Sequence, residues 1–146
     1  MESIDINFIN LIIEPIQSNF GFMKHHITGV GKGVPDTLTF LSNEKNNPDG
    51  KFFVAYRRLE LVDNAEPHVN LHKHTVDQMY SWIGINEDLS GLTVEVFLED
   101  QSFIVNSPKS VLIPAGVKHA HRYVSGKGHF IGFLLTNGLS YNEVTD

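Results

Sequence analysis

The sequence predicts an all-β chain, folded as an antiparallel sandwich or barrel. Two observations carry that expectation. Short apolar and β-branched runs succeed one another from residue 51 onward. Turn signals rich in Gly, Pro, Asn and Asp separate them, with no convincing long helix between.

The elements follow in chain order. Phe8-Ile9-Asn10-Leu11-Ile12-Ile13 suits a short helix or a strand, and periodicity does not choose between them. Residues 21–37 hold four Gly and one Pro and should be irregular. Asn46-Asn47-Pro48-Asp49-Gly50 is the strongest turn signal. Phe52 to Val62 then reads as one long strand. One of its faces carries Phe53, Ala55, Arg57, Leu59 and Leu61, and the other carries Val54, Tyr56, Arg58 and Glu60. The first is the more apolar and should point inward. Gln78 to Ile83 is the next strand. Leu92 to Glu99 alternates, with Leu92, Val94, Val96 and Leu98 on one face. Glu99-Asp100-Gln101 marks a hairpin into Ser102–Val105. Val111 to Ile113 is a short strand ended by Pro114, and His119–Val124 and His129–Leu135 complete the set. Tyr80, Trp82, Phe97 and Phe133 are expected in the core, because aromatic side chains dominate small barrel interiors.

Composition narrows the function classes. A chain of 146 residues, 41% hydrophobic, fits one domain over residues 1–146 with a core of its own. The formal net charge is -6 and no Lys/Arg cluster stands out, which argues against nucleic acid as a partner. The absence of cysteine excludes disulfides and thiolate ligands, and it suits a reducing cytoplasm. No segment is long enough to span a membrane. The N-terminal charges, Glu2 and Asp5, are acidic, unlike those of a signal peptide. A soluble cytoplasmic protein is the expectation.

Histidine carries the chemistry. His72 and His74 are two apart, so on extended backbone they project to one side and can share an ion. Alone, such a pair is more often two solvated histidines. Downstream, Pro114-Ala115-Gly116-Val117-Lys118-His119 sets a Pro/Gly turn immediately before a strand that begins with His. The combination is far more specific than either piece. Neutral imidazoles suit zinc, copper, iron and nickel. His121 shares the face of His119 and is a candidate base or substrate contact, against the plainer reading of a rim histidine with no role. His68 should be solvated, and His25 and His26 lie in a Gly-rich segment that reads as a surface loop or a lid. Arg57, a cation on an apolar face, needs a partner. A substrate carboxylate bound bidentately is one, and an internal salt bridge to Asp77 or Glu60 is the other.

The segment from His72 to Gly84 resembles the first cupin motif, His-x-His, a short gap, Glu, then a strand ending in Gly. The segment from Pro114 to His119 resembles the second, Pro-x-Gly-x-x-His. The resemblance covers residues 50–136. It implies an antiparallel jelly-roll barrel over 51–136, with residues 1–50 as an N-terminal arm and first strands. It also implies one divalent metal (Fe, Ni, Mn or Zn) held in the mouth by His72, His74 and His119, and assembly as a homodimer. The family's Glu position holds Gln78 here. Asp77 is adjacent, but Gln78 is four residues from His74 and continues to Tyr80 and Trp82, so Gln78 is preferred as the fourth ligand. Without a charged fourth ligand, the site favours an anionic group in its open positions. Metal-binding cupins that rearrange unsaturated uronates tolerate Gln at this position, and some three-His cupins are iron dioxygenases. Tyr123 stands where the family often has Asn. The expected activity is that of a metal-dependent enzyme acting on a small organic acid or carbonyl compound, with dioxygenase or isomerase/lyase chemistry. His121 and Arg57 are its candidate catalytic residues. The alternatives are a non-catalytic small-ligand-binding cupin and a cupin that has lost its metal.

Overall fold

In the computed structural model, which describes residues 7–18, 23–26 and 37–146, the chain is almost entirely antiparallel β. Phe8–Leu11 forms a single 3-10 turn, capped by the Asn7 side chain and exposed throughout. Of the two readings left open for the apolar segment, the short helix is the one observed, on the surface and as a single turn. Eight strands follow: β1 Ile16–Ser18, β2 Thr37–Leu41, β3 Phe53–Asp63, β4 Gln78–Gly84, β5 Leu92–Leu98, β6 Gln101–Asn106, β7 Lys109–Ile113 and β8 His119–Leu134. Most of the expected irregular stretch 21–37 lies outside the described residues; 23–26 form a turn ending in a bridge from His26 to Val69.

β8 organises the fold. Its first half pairs with β5, which pairs in turn with β6. Its second half lies between β3 and β4, and the sheet continues outward through β2 and β1 on one side and β7 on the other. The two strands expected at 119–124 and 129–135 are thus one bent strand. The misreading has a physical cause. Gly126 and Gly128 look like turn residues, yet they sit where backbones cross. A Cβ on Gly126, whose φ is +102°, would lie 2.0 Å from the Gly91 carbonyl oxygen, and one on Gly128 would lie 2.1 Å from that of Ile83. The bend also shifts the inward parity, from His119, His121 and Tyr123 to Gly128, Phe130, Gly132 and Leu134.

Strand alternation places the core. Tyr80 and Trp82 of β4, Leu92, Val94 and Val96 of β5, Leu59 and Val62 of β3, and Tyr123 and Phe130 of β8 form one buried cluster. Met23, Phe53, Ala55, Leu134, Tyr141 and Val144 form a second. Two expectations are corrected here. Leu61 does not share the inward face of Phe53, Ala55, Arg57 and Leu59. A register shift between Leu59 and Val62, with Leu61 at φ +48°, turns Leu61 outward to 77% exposure and buries Val62 instead. Phe97 and Phe133 lie on the outer faces of their strands, half-buried, with Phe133 packed on Phe52.

Candidate metal centre

His72 and His74 sit in the connection from β3 to β4, not on a strand. Two isolated bridges give them extended geometry all the same. His72 pairs with His119, the amide of each donating to the carbonyl of the other at 3.1 and 2.8 Å, and His74 pairs with Thr145. A directly paired couple projects its side chains to one side, which brings the His119 ring 4.4 Å from that of His72 and 5.0 Å from that of His74. The Pro114 turn is tied to the same place. The Gly116 amide donates to the His74 carbonyl at 2.8 Å, and the Ala115 amide donates to Asp77 Oδ1 at 3.0 Å. Gly116 holds φ +86°, a conformation few other residues adopt readily.

The three rings are buried, and their potential ligand atoms all lie within 4.8 Å of one another. That is more open than the separation of about 3–4 Å that bonds of about 2.0–2.1 Å to one ion require. The hydrogen bonds on the far side of each ring decide which nitrogen faces inward. His72 Nδ1–H donates to the Asn70 carbonyl at 2.7 Å, and His119 Nδ1–H donates to that of Val117 at 2.9 Å. The Thr145 hydroxyl donates to the Tyr141 carbonyl and so accepts from His74 Nδ1–H at 3.0 Å. Every Nε2 therefore keeps its lone pair for the interior. Those of His74 and His119 are buried with no hydrogen-bond partner, and that of His72 meets only the Tyr141 hydroxyl, at 3.3 Å. Burial first, then neighbouring charge or ring, lowers His72 and His119 to about 4 and His74 to about 2. At neutral pH all three are unprotonated bases, the form that binds metal. Three converging lone pairs, two of them without a partner, on rings with anchored tautomers fit a divalent ion.

Beside the triad is a narrow cleft lined among others by His26, His68, Gln78, His121 and Tyr141. Gln78 is buried and its Oε1 has no hydrogen-bond partner, whereas Asp77 is exposed and caps the Pro114 turn. His121 is no rim histidine: it is 2% exposed, packed on Tyr80, Phe130 and His68, with its Nε2 3.3 Å from the Tyr123 hydroxyl. His68, expected in solvent, is 4% exposed and stacked on Tyr123. Burial, then the charge of its neighbours, holds both histidines neutral. Arg57 points inward at 6% exposure, its guanidinium 5.9 Å over the Tyr123 ring and hydrogen-bonded to that side chain. Of the two acids weighed as its partners, Glu60 pairs with Arg58 and Lys127, and Asp77 holds the turn.

Sequence reasoning missed Tyr141 and Thr145, which no motif marks. It left the His25-His26 pair as a surface loop or a lid, without assigning it to the site. In fact His25 stacks on His72, with centroids 5.6 Å apart, and donates to the Asp146 carbonyl, while His26 meets the rings of both His72 and Tyr141.

No family model matches the chain, and no curated protein sequence does. Solved structures do. A cupin-like protein from Thermotoga maritima is 14% identical with a TM-score of 0.54, covering 78% of this chain and 77% of the other. An RmlC-like cupin from Shewanella frigidimarina is 16% identical with a TM-score of 0.51, covering 85% and 93%. The chain has the cupin fold. A third cupin neighbour is oxalate decarboxylase from Bacillus subtilis, 15% identical with a TM-score of 0.50, of which 31% is covered by 89% of this chain. Cupin barrels of this kind thus include an enzyme, and the buried histidine triad here is compatible with a metal site. Among the described residues, no helix is long and apolar enough to cross a membrane.

Proposed function

We propose that the protein is a metal-dependent cupin enzyme acting on a small organic acid or carbonyl compound. The observation that carries this reading is the convergence of three buried, neutral imidazoles whose Nε2 lone pairs face one point. His72, His74 and His119 would hold one divalent cation (Fe, Ni, Mn or Zn), with Gln78 as a neutral fourth ligand. The cation would supply Lewis-acid polarisation of a ligand oxygen or, if iron, dioxygen chemistry. Arg57 orients a carboxylate on the substrate, because an inward guanidinium is built for bidentate contact. His121, buried on the wall of the cleft, would contact the substrate. Metal content of untagged protein tests the reading. Iron points to oxygenation, zinc, nickel or manganese to isomerase or lyase chemistry, and metal-free protein that takes up none of these ions overturns it. With metal bound, Arg57→Ala should weaken carboxylate binding and leave metal content unchanged.

A second reading is a cupin that binds a small ligand without turning it over, in the cleft that Gln78, His121 and Tyr141 line. A ligand recovered unchanged after incubation with metal-loaded protein would favour it. We further propose one domain over residues 1–146, a cytoplasmic location and a homodimer. Phe103 and Ile104 on β6, which pairs only with β5 among the described strands, are 47% and 60% exposed and offer an apolar edge to a second copy. Light scattering at micromolar concentration would show a dimer mass or refute it.

A further inference from the structure

We propose that Tyr141 is the ligand-recognising donor of this centre: its hydroxyl, held against the cation-facing nitrogen of His72, donates a hydrogen bond to the acceptor atom of the small ligand bound beside the triad. The inference rests on the reading of the triad as a metal centre. His72 Nδ1 is occupied as a donor to Asn70, so its Nε2 is an acceptor and the phenol must be the donor in the 3.3 Å contact between them. A cation takes that same lone pair. The lone pairs of His74 and His119 would be taken with it, so the hydroxyl loses its His72 acceptor inside a buried pocket and keeps only the Thr145 side chain, already bonded to the Tyr141 carbonyl and to His74, unless a ligand supplies another.

The phenol cannot easily swing away to find one. Its ring is packed on Phe53 at 5.1 Å and meets the edges of His74 at 5.2 Å and His26 at 5.6 Å. Its backbone is pinned as well. The Tyr141 carbonyl accepts from Thr145 Oγ1, and the Val144 carbonyl accepts from the Thr75 amide at 2.8 Å, one residue from His74. The hydroxyl is therefore fixed in place before any ligand arrives, on the wall of the cleft that also carries Gln78 and His121. The complementary ligand presents an acceptor, a carboxylate or carbonyl oxygen, at the junction of triad and cleft. The segment carrying Tyr141 lies beyond both histidine motifs, so specificity is set from outside the metal-binding residues.

The test uses the full chain loaded with Co(II) and titrated with acetate, followed by visible absorption. Tyr141→Phe keeps the ring and its packing. It should bind Co(II) within about threefold of the unaltered chain and acetate about tenfold more weakly, the loss expected of one charge-assisted hydrogen bond. Tyr56→Phe, whose hydroxyl contacts His129 instead, should change neither. Unchanged acetate affinity in Tyr141→Phe overturns the proposal. A Co(II) affinity that falls more than tenfold also overturns it, by making Tyr141 part of the metal-holding structure. Failure of the unaltered chain to take up Co(II) would sink the metal reading instead. A measurement without any variant stands beside these. In Zn(II)-loaded protein carrying 13Cζ-labelled tyrosine, acetate should move the Tyr141 resonance, and no movement among the four tyrosines overturns the proposal.

Discussion

Thr145 shows how a residue outside the histidine triad can govern one within it. Its hydroxyl donates to the Tyr141 carbonyl and accepts from His74 Nδ1–H, which leaves His74 in the tautomer whose Nε2 faces His72 and His119. Thr145→Val keeps the shape and removes the acceptor. Divalent-metal affinity, read by competition with a chelator, should fall about 10–100-fold, as is usual for partners that orient a ligating histidine. An unchanged affinity would mean that packing alone orients the ring. The adjacent pair Asp77 and Gln78 makes a second case. Gln78→Glu adds a negative ligand beside the triad and should tighten metal binding. Asp77→Ala removes the acceptor of the Ala115 amide and should cost about 0.5–2 kcal/mol of stability, the range of a lost cap, with metal affinity unchanged. The opposite pattern, with Asp77→Ala alone losing metal, would place Asp77 at the ion.

Among the elements, β8 is the one that pairs with β3, β4 and β5, and its bend rests on two glycines. Gly128→Ala would drive a methyl toward the Ile83 carbonyl, and Gly126→Ala toward that of Gly91, in each case against backbone that cannot yield cheaply. Each should destabilise by about 3 kcal/mol or more, at the severe end for single substitutions. Gly138→Ala, at φ +92° but with open space around the new methyl, should cost only about 1–2 kcal/mol from backbone strain. Denaturant unfolding of the three variants checks the order, and equal losses would refute the crossing of backbones as the cause. The same strand marks where sequence pattern stops being informative. Alternation in β5 is legible because Leu92, Val94 and Val96 make one face apolar. In β3 and β8 a register shift changes parity mid-strand, so Leu61 was assigned inward and β8 was split in two. A bulge is stabilised by what crosses it, and Gly91 and Ile83 are far from Gly126 and Gly128 in sequence.

For the whole molecule, what was legible of the site follows the same division. His72, His74 and His119 stood out because each motif is a local piece of chain with its own turn chemistry. Tyr141, Thr145, His25 and His26 did not, because only tertiary packing brings the C-terminal segment and residues 23–26 against the triad. One consequence belongs to the molecule as a unit, since the fold holds many imidazoles neutral at once. His26 is lowered to about 3, His72 and His119 to about 4 and His74 to about 2, and His68 and His121 also lie well below 6.5, in every case chiefly by burial. Above pH 6.5 the folded and unfolded chains are equally unprotonated at these sites, and their stability contribution is complete. Below it the unfolded chain takes up protons that the folded chain refuses, so stability falls as the pH drops from 6.5 toward the folded values. Each such histidine steepens the decline by at most about 1.4 kcal/mol per pH unit, and total stability is only about 5–15 kcal/mol, so a few acting together suffice to unfold the domain. Metal-free protein should therefore lose its near-ultraviolet circular dichroism between about pH 6 and pH 4. A saturating divalent ion, which binds only the folded, unprotonated triad, should move that midpoint to lower pH. A metal-free fold intact at pH 3 would show that these histidines are not held neutral by burial.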